Sequence, residues 1–184
     1  MSKFWMQTWS GARFDPLDQA GLSSDQIRID DIAVALSRTC RFRGHCLVWY
    51  SVAEHSLLVA SVVPPRHALA ALLHDAAEAY LGDVPAPFKR SGILASYGYL
   101  ETEILRTIWR RWGVEVEAEM LRVVAEADAA VLAAERDAVM GPPPEDWGLT
   151  AEPAPVKIVG HAPEMARTLF LAEFDRLMLE EPLC

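Results

Sequence analysis

The chain has 184 residues, 52% of them apolar and 23% charged, with a formal net charge of -9 at pH 7. That length and apolar share suit one domain over 1–184 whose core needs no covalent staples. The acidic balance argues against an extended nucleic-acid partner, which requires clustered Lys and Arg against the phosphates; a small anionic ligand stays open, because a metal and a few basic side chains can supply a local positive pocket.

The start of the chain carries no secretory-signal pattern, and Cys40, Cys46 and Cys184 are an odd set at no zinc-ribbon spacing. They read as reduced thiols of a cytoplasmic protein. Within the first 28 residues, "FWMQTWSGARFDP" has aromatics, Gly and Pro without helical period, the pattern of a short strand or hairpin packed on the body. Asp30-Asp31 ahead of Ile32, Ala33 and Leu36 predicts a helix over 30–38 with its acidic end at the positive pole of the dipole. "CRFRGHCLVWY" follows as a loop. Ser51 is then a natural N-cap, with Glu54 at the capping-box position and Val52, Leu58, Val59 and Val62 as an apolar stripe, and the helix stops at Pro64. Residues 56–63 are its most apolar run, far short of the roughly 20 needed to span a membrane, so no membrane partner is expected.

Residues 66–81 are Ala- and Leu-rich and end at Gly82, which predicts one helix carrying His74, Asp75 and Glu78. "DVPAPFKRSG" has too many breakers for regular structure and reads as a loop, followed by helices over 97–112 and 115–140 separated at Gly113. The proline-rich stretch from Gly141 to Gly160 is the segment expected to be mobile, and a final helix covers 163–179. The fold expected is all-α with a small N-terminal β decoration.

His74 and Asp75 are neighbours, so on a helix they point about 100° apart and share an ion only over the edge between their faces. His55, near the start of the preceding helix, and Asp128, within "AEADAAVLAAERDAV", can converge on that edge in an antiparallel bundle. Two imidazoles and two carboxylates suit one divalent transition metal (Zn, Mn, Co, Fe or Ni) better than Ca, with Mg as a further ion left open. Each residue alone has an ordinary explanation, a packed or solvated helical side chain. Their conjunction, in order and each on a predicted helix, carries the reading.

"YSVAEHSLLVA", "ALLHDAAEAYLGDVPAPFKR" and "AEADAAVLAAE" resemble the HD-domain phosphohydrolases, in the branch of bacterial 5'-deoxynucleotidases and phage deoxynucleoside triphosphohydrolases. The resemblance covers roughly 30–135. It implies an HD-domain helical bundle, commonly a homo-oligomer, with His55, His74, Asp75 and Asp128 as metal ligands. Through the "HDxxE" pattern it implies Glu78 as the carboxylate that orients or deprotonates water, a role for which its spacing from His74 and Asp75 is suitable. It further implies Asp83 as a second carboxylate on sugar or water, Lys89 as a phosphate ligand, Arg41 on phosphate or sugar, and Phe42 against the base.

The activity so implied is metal-dependent hydrolysis of the 5'-phosphate of (deoxy)nucleotides, releasing phosphate from a dNMP or triphosphate from a dNTP, dATP among them. Arg41, Arg43, Lys89 and Arg90 are cations enough for a triphosphate without demanding one. Stacking on Phe42 selects no base. The alternatives are a phosphodiesterase for cyclic or signalling nucleotides and a non-catalytic helical scaffold whose metal serves stability.

Overall fold

Ser10 fastens the start of the chain to the body, its N–H and hydroxyl both donating to the Asp31 carboxylate at 2.6 and 2.8 Å. In the computed structural model, which describes residues 4–18 and 23–180, this is the turn of the expected hairpin. β1 (Met6–Gln7) pairs antiparallel with β2 (Arg13–Phe14), Met6 opposite Phe14. Phe14 is fully buried and stacks on Tyr80 at 4.0 Å; such a ring contributes about 2–3 kcal/mol by leaving water. Cys184 lies outside the described residues.

The helices follow in the order α1 (Ile29–Arg38), α2 (Val52–Val62), α3 (Ala68–Leu72), α4 (Glu78–Leu81), α5 (Ala86–Arg90), α6 (Ala95–Arg111), α7 (Ala118–Val139) and α8 (Pro163–Glu180). The fold is therefore all-α with a two-stranded β decoration, as expected. Among the described residues no helix is long and apolar enough to cross a membrane.

α2 is the helix on which the site depends. The Ser51 hydroxyl accepts the Glu54 N–H at 3.1 Å and starts it, and Val63, extended before Pro64, stops it. It buries Val52, Ala53, Glu54, His55, Ser56, Val59 and Ala60, far more than the predicted stripe, because α1, α3, α7 and α8 all pack on it. The capping box is not completed. Both Glu54 oxygens instead take the N–H groups of Val159, Gly160 and His161 at 2.8, 3.0 and 2.6 Å. That anchor, with Ala154 N–H donating to Ala130 O at 2.9 Å, ties down the proline-rich stretch expected to be mobile. Gly160 is required there: its φ is +75°, and a Cβ would stand 2.8 Å from the Trp49 carbonyl oxygen.

Two further expectations change. The proline loop after Gly82 contains α5, since Pro85 and Pro87 occupy the cap and first turn, where a missing N–H costs nothing. The single helix predicted over 66–81 is instead broken: residues 73–77 form successive tight turns, with Ala76, Glu78, Ala79 and Tyr80 N–H groups donating three residues back. No glycine or proline falls there. The Ala71 carbonyl receives both the His74 amide, at 3.4 Å, and the His74 ring Nδ1–H, at 2.7 Å, so the imidazole takes an acceptor that a continuing α-helix would use.

Candidate metal centre

The unwound segment overcomes the 100° divergence that a helix would impose on His74 and Asp75: His74 Nε2 and Asp75 Oδ2 lie 3.3 Å apart. Buried His55, from α2, brings its Nε2 to 3.3 Å from His74 Nε2 and 3.6 Å from Asp75 Oδ2. The donor atoms of these three residues all lie within 4.8 Å of one another. Asp128, from α7, is more open and approaches from the His55 side, its Oδ1 at 3.2 Å from His55 Nε2.

These donors fit a divalent transition ion. Metal–ligand bonds of about 2.0–2.1 Å in a tetrahedron put ligand atoms about 3.3 Å apart; the separations among His55, His74 and Asp75 run from 3.3 to 3.6 Å, while Asp128 meets His55 but stands outside that mutually close trio. The His74 Nδ1–H is committed to Ala71 O, which leaves Nε2 with its lone pair toward the cluster. His55 is fixed in the same sense by Glu135, whose Oε1 accepts the Nδ1–H at 2.5 Å.

Glu135 is a residue the sequence reading passed over. It is fully buried on α7 and accepts from three sides: His55, the Tyr50 hydroxyl at 2.7 Å, and the Arg41 guanidinium at 2.8 and 3.2 Å. The available signal was its position seven residues after Asp128, two helical turns along the same face of an Ala-rich stretch.

The charges respond to this arrangement. Burial and Arg41 both oppose the His55 imidazolium, yet Glu135 and Asp128 outweigh them and hold the ring up at about 9. Burial pushes Asp128 up as well, but its hydrogen bond to His55 and the positive groups around it keep it well below the ordinary carboxylate range. Glu135, similarly desolvated, is brought down to about 2 by His55 and Arg41. A divalent ion bound here would have to displace the proton that Glu135 and Asp128 favour on His55.

Glu78 opens α4 and is buried beside the cluster. Burial, with Asp75 and Asp83 nearby, pushes it up to about 9 against the pull of Lys89. Its Oε1 accepts from Lys89 Nζ at 3.2 Å, and its buried Oε2 has no hydrogen-bond partner among the described residues. An unpartnered buried carboxyl oxygen next to a donor cluster calls for a ligand or a water. Lys89 also donates to Glu101 of α6 at 2.7 Å, so it bridges two carboxylates. Asp83, just after α4, is half-buried; burial raises its carboxyl and Asp75 adds to this, with Arg41, Lys89 and Arg43 pulling the other way.

Arg41 is no surface residue. Besides its bonds to Glu135 it places Nη1 3.7 Å from Asp75 Oδ2, and so spans the two carboxylates. Phe42 lies outside the core, with the Arg41 guanidinium 5.4 Å from its ring centre and the Trp147 ring at 6.0 Å. Trp147 lines a cleft of about 570 Å³ with Arg136, Met140 and Pro142, a cleft to which the ion-binding donors do not themselves contribute. The turn holding Arg41 and Phe42 is strained: Phe42 and Arg43 have φ of 54° and 56°, a left-handed conformation that costs about 1–2 kcal/mol per residue. Strain next to a charged cluster suggests that the position of these side chains matters.

No protein-family model matches the chain. It is similar to the uncharacterized protein YfdR of Escherichia coli, 42% identical over 132 residues that cover 72% of this chain and 70% of YfdR. It is also similar to an uncharacterized protein of Rhodobacter capsulatus, 32% identical over an alignment that covers 97% of each chain. The chain belongs to the family of these two proteins.

Proposed function

We propose that this member of the YfdR family is a metal-dependent phosphohydrolase of the HD-domain type, acting on the 5'-phosphate of (deoxy)nucleotides. The observation that carries the reading is the convergence of His55, His74 and Asp75 within 4.8 Å of one another, next to the buried Glu78 carboxyl. A divalent transition metal held by these three residues and Asp128 would supply Lewis acidity at a phosphoryl oxygen and a lowered pKa for the attacking water.

The remaining work falls to the chain's own groups. Glu78 Oε2 is the acceptor without a partner among the described residues, so it orients the water and takes its proton, and an acceptor held near 9 is a strong base once ionised. Water adds to phosphorus, the bond to the 5'-oxygen breaks, and the proton carried by Glu78 ends on that leaving oxygen. Lys89 is positioned both to favour ionised Glu78 and to meet a phosphoryl oxygen, provided the substrate draws it from Glu101. Arg41 contributes positive charge from the Asp75 side, and exposed Arg43 and Arg90 could meet further phosphates. Asp83 would meet a sugar hydroxyl or a water, and the Phe42–Trp147 pair, with ring centres 6.0 Å apart, would take the base, with stacking worth about 1–3 kcal/mol.

The test is release of phosphate and triphosphate from dNMPs and dNTPs with Mg, Mn, Co or Zn, beside ribonucleotides and cyclic nucleotides. Hydrolysis at the 5'-phosphate that stops with chelator and returns with metal is expected. Turnover of cyclic nucleotides alone would make the protein a phosphodiesterase. A metal-dependent rise in melting temperature without hydrolysis of any of these would leave only the stabilising role.

A further inference from the structure

Two thiols bracket the strained turn that seats Arg41 and Phe42. Cys40 Sγ and Cys46 Sγ lie 3.6 Å apart, both half-buried and unoxidised. Backbone pairing, not a chance rotamer, brings them together. Cys40 forms an antiparallel bridge with Ser51, Arg41 N–H donates to Tyr50 O at 2.9 Å, and Leu47 N–H donates to Val139 O at 2.8 Å. Between these anchors Phe42, Arg43 and Gly44 run with φ of 54°, 56° and 80°, and His45 N–H closes the turn onto Phe42 O at 2.9 Å. A disulfide needs about 2.05 Å between sulfurs, so closure asks for roughly 1.5 Å of approach between sulfurs already near contact.

We infer that Cys40 and Cys46 are a thiol–disulfide exchange site for small-molecule disulfides, closing a covalent ring over residues 40–46 that clamps the turn beneath Arg41. One cysteine thiolate attacks a sulfur of glutathione disulfide and expels one glutathione thiolate, leaving a mixed disulfide. The second cysteine thiolate attacks the protein sulfur of that mixed disulfide and expels the other glutathione. Two protein thiols are oxidised, one external disulfide is reduced, and the two thiol protons end on the two glutathiones released. Burial, with Cys40 as a hydrogen-bonding neighbour, pushes the Cys46 thiol up, so exchange quickens toward alkaline pH. Closed, the ring keeps Arg41 on Glu135 whatever that arginine contributes to turnover, so the inference stands or falls independently of the hydrolase reading.

The experiment uses the full chain carrying Cys184→Ser, so that a single pair is available, exposed to excess glutathione disulfide at mildly alkaline pH. The expected intact mass shows loss of two hydrogens with no retained glutathione, reversed by dithiothreitol, while Cys46→Ser in the same background keeps one glutathione on Cys40. Closure should raise Tm by about 5 °C and slow amide exchange at Arg41 and His45 by about tenfold. Adducts persisting on both cysteines of the folded chain, unreacted thiols, or closure confined to denaturant would overturn the exchange site. A lower Tm or unchanged exchange after closure would overturn the clamp.

Discussion

Glu135→Gln tests whether the centre depends on a carboxylate that touches no proposed substrate. The side chain is fully buried, and its oxygens take the His55 Nδ1–H, the Tyr50 hydroxyl and two Arg41 N–H groups. An amide of the same shape can still accept from His55 and Tyr50 through its oxygen, but it turns an NH2 group toward Arg41 and leaves that buried guanidinium only the longer 3.7 Å pairing with Asp75. Removing one member of a buried ion pair costs about 3–5 kcal/mol, which in a chain of this size is a fall in Tm of about 10 °C. Losing the partner of a metal-binding histidine typically costs 10–100-fold in metal affinity. Thermal melting with and without Zn or Mn reads the first effect, and competition with a chelating dye reads the second. Tyr50→Phe, which deletes one hydroxyl and no charge, should cost only about 1 kcal/mol. A Glu135→Gln protein that bound metal as tightly as the wild type would refute the argument, because His55 would then need no carboxylate to present Nε2.

Asp75→Asn should lose metal and activity together, the apparent metal Kd rising by about 100-fold as judged by dye competition, since an amide oxygen replaces an anionic ligand; full activity of the metal-free variant would remove the proposed centre. Glu78→Ala should retain metal yet lower kcat by about 10²–10⁴-fold, and an unchanged rate would take Glu78 out of the water-activating role. Metal binding must displace the proton that His55 carries up to about 9 in the ion-free centre, so affinity should rise by up to tenfold per pH unit between 7 and 9 and then flatten. The same raised value means that the metal-free protein gains stability from charged His55 below its ordinary 6.5 and loses it as pH climbs through 9, so melting without metal should fall across that window. Gly160→Ala combines a positive φ with a 2.8 Å approach to the Trp49 carbonyl, and should lower Tm by about 5 °C through about 2 kcal/mol of strain.

Most of the helix order was legible because it is written in local signals: the acidic start of α1, Ser51 and Pro64 around α2, and Gly113 between α6 and α7. The possible donor group of His55, His74 and Asp75 was legible as residue types in order. What could not be read is how neighbours on one helix would meet, since the unwinding at 73–77 arises from a side-chain hydrogen bond, His74 to Ala71 O, and not from a breaker residue. Glu54 offered a capping-box signal, but its carboxylate instead accepts three N–H groups of a segment more than 100 residues away, a partner that local pattern does not reveal. Glu135 was hidden because a glutamate in an Ala-rich helix reads as solvated until Arg41, Tyr50 and His55, all distant in sequence, arrive around it.

The two irregular segments, the tight turns at 73–77 and the left-handed turn at 42–44, share one contact: Arg41 reaches Asp75 across 3.7 Å while its other nitrogens stay on Glu135. Glu135 and Asp128, two turns apart on α7, in turn hold opposite ring nitrogens of His55. One regular helix thus fixes the imidazole from both sides, and the two departures from regularity bring the remaining charge to it. Each departure disfavours the folded chain on its own, and the left-handed turn puts two non-glycine residues where such backbone costs about 1–2 kcal/mol apiece. A sequence that served only to pack helices would relax both, since hydrophobic residues of similar volume could replace the buried Arg41–Glu135 pair with little loss or some gain in stability. Their coexistence around His55, His74 and Asp75, a group that could hold an ion, is the pattern expected where local structure yields to a site.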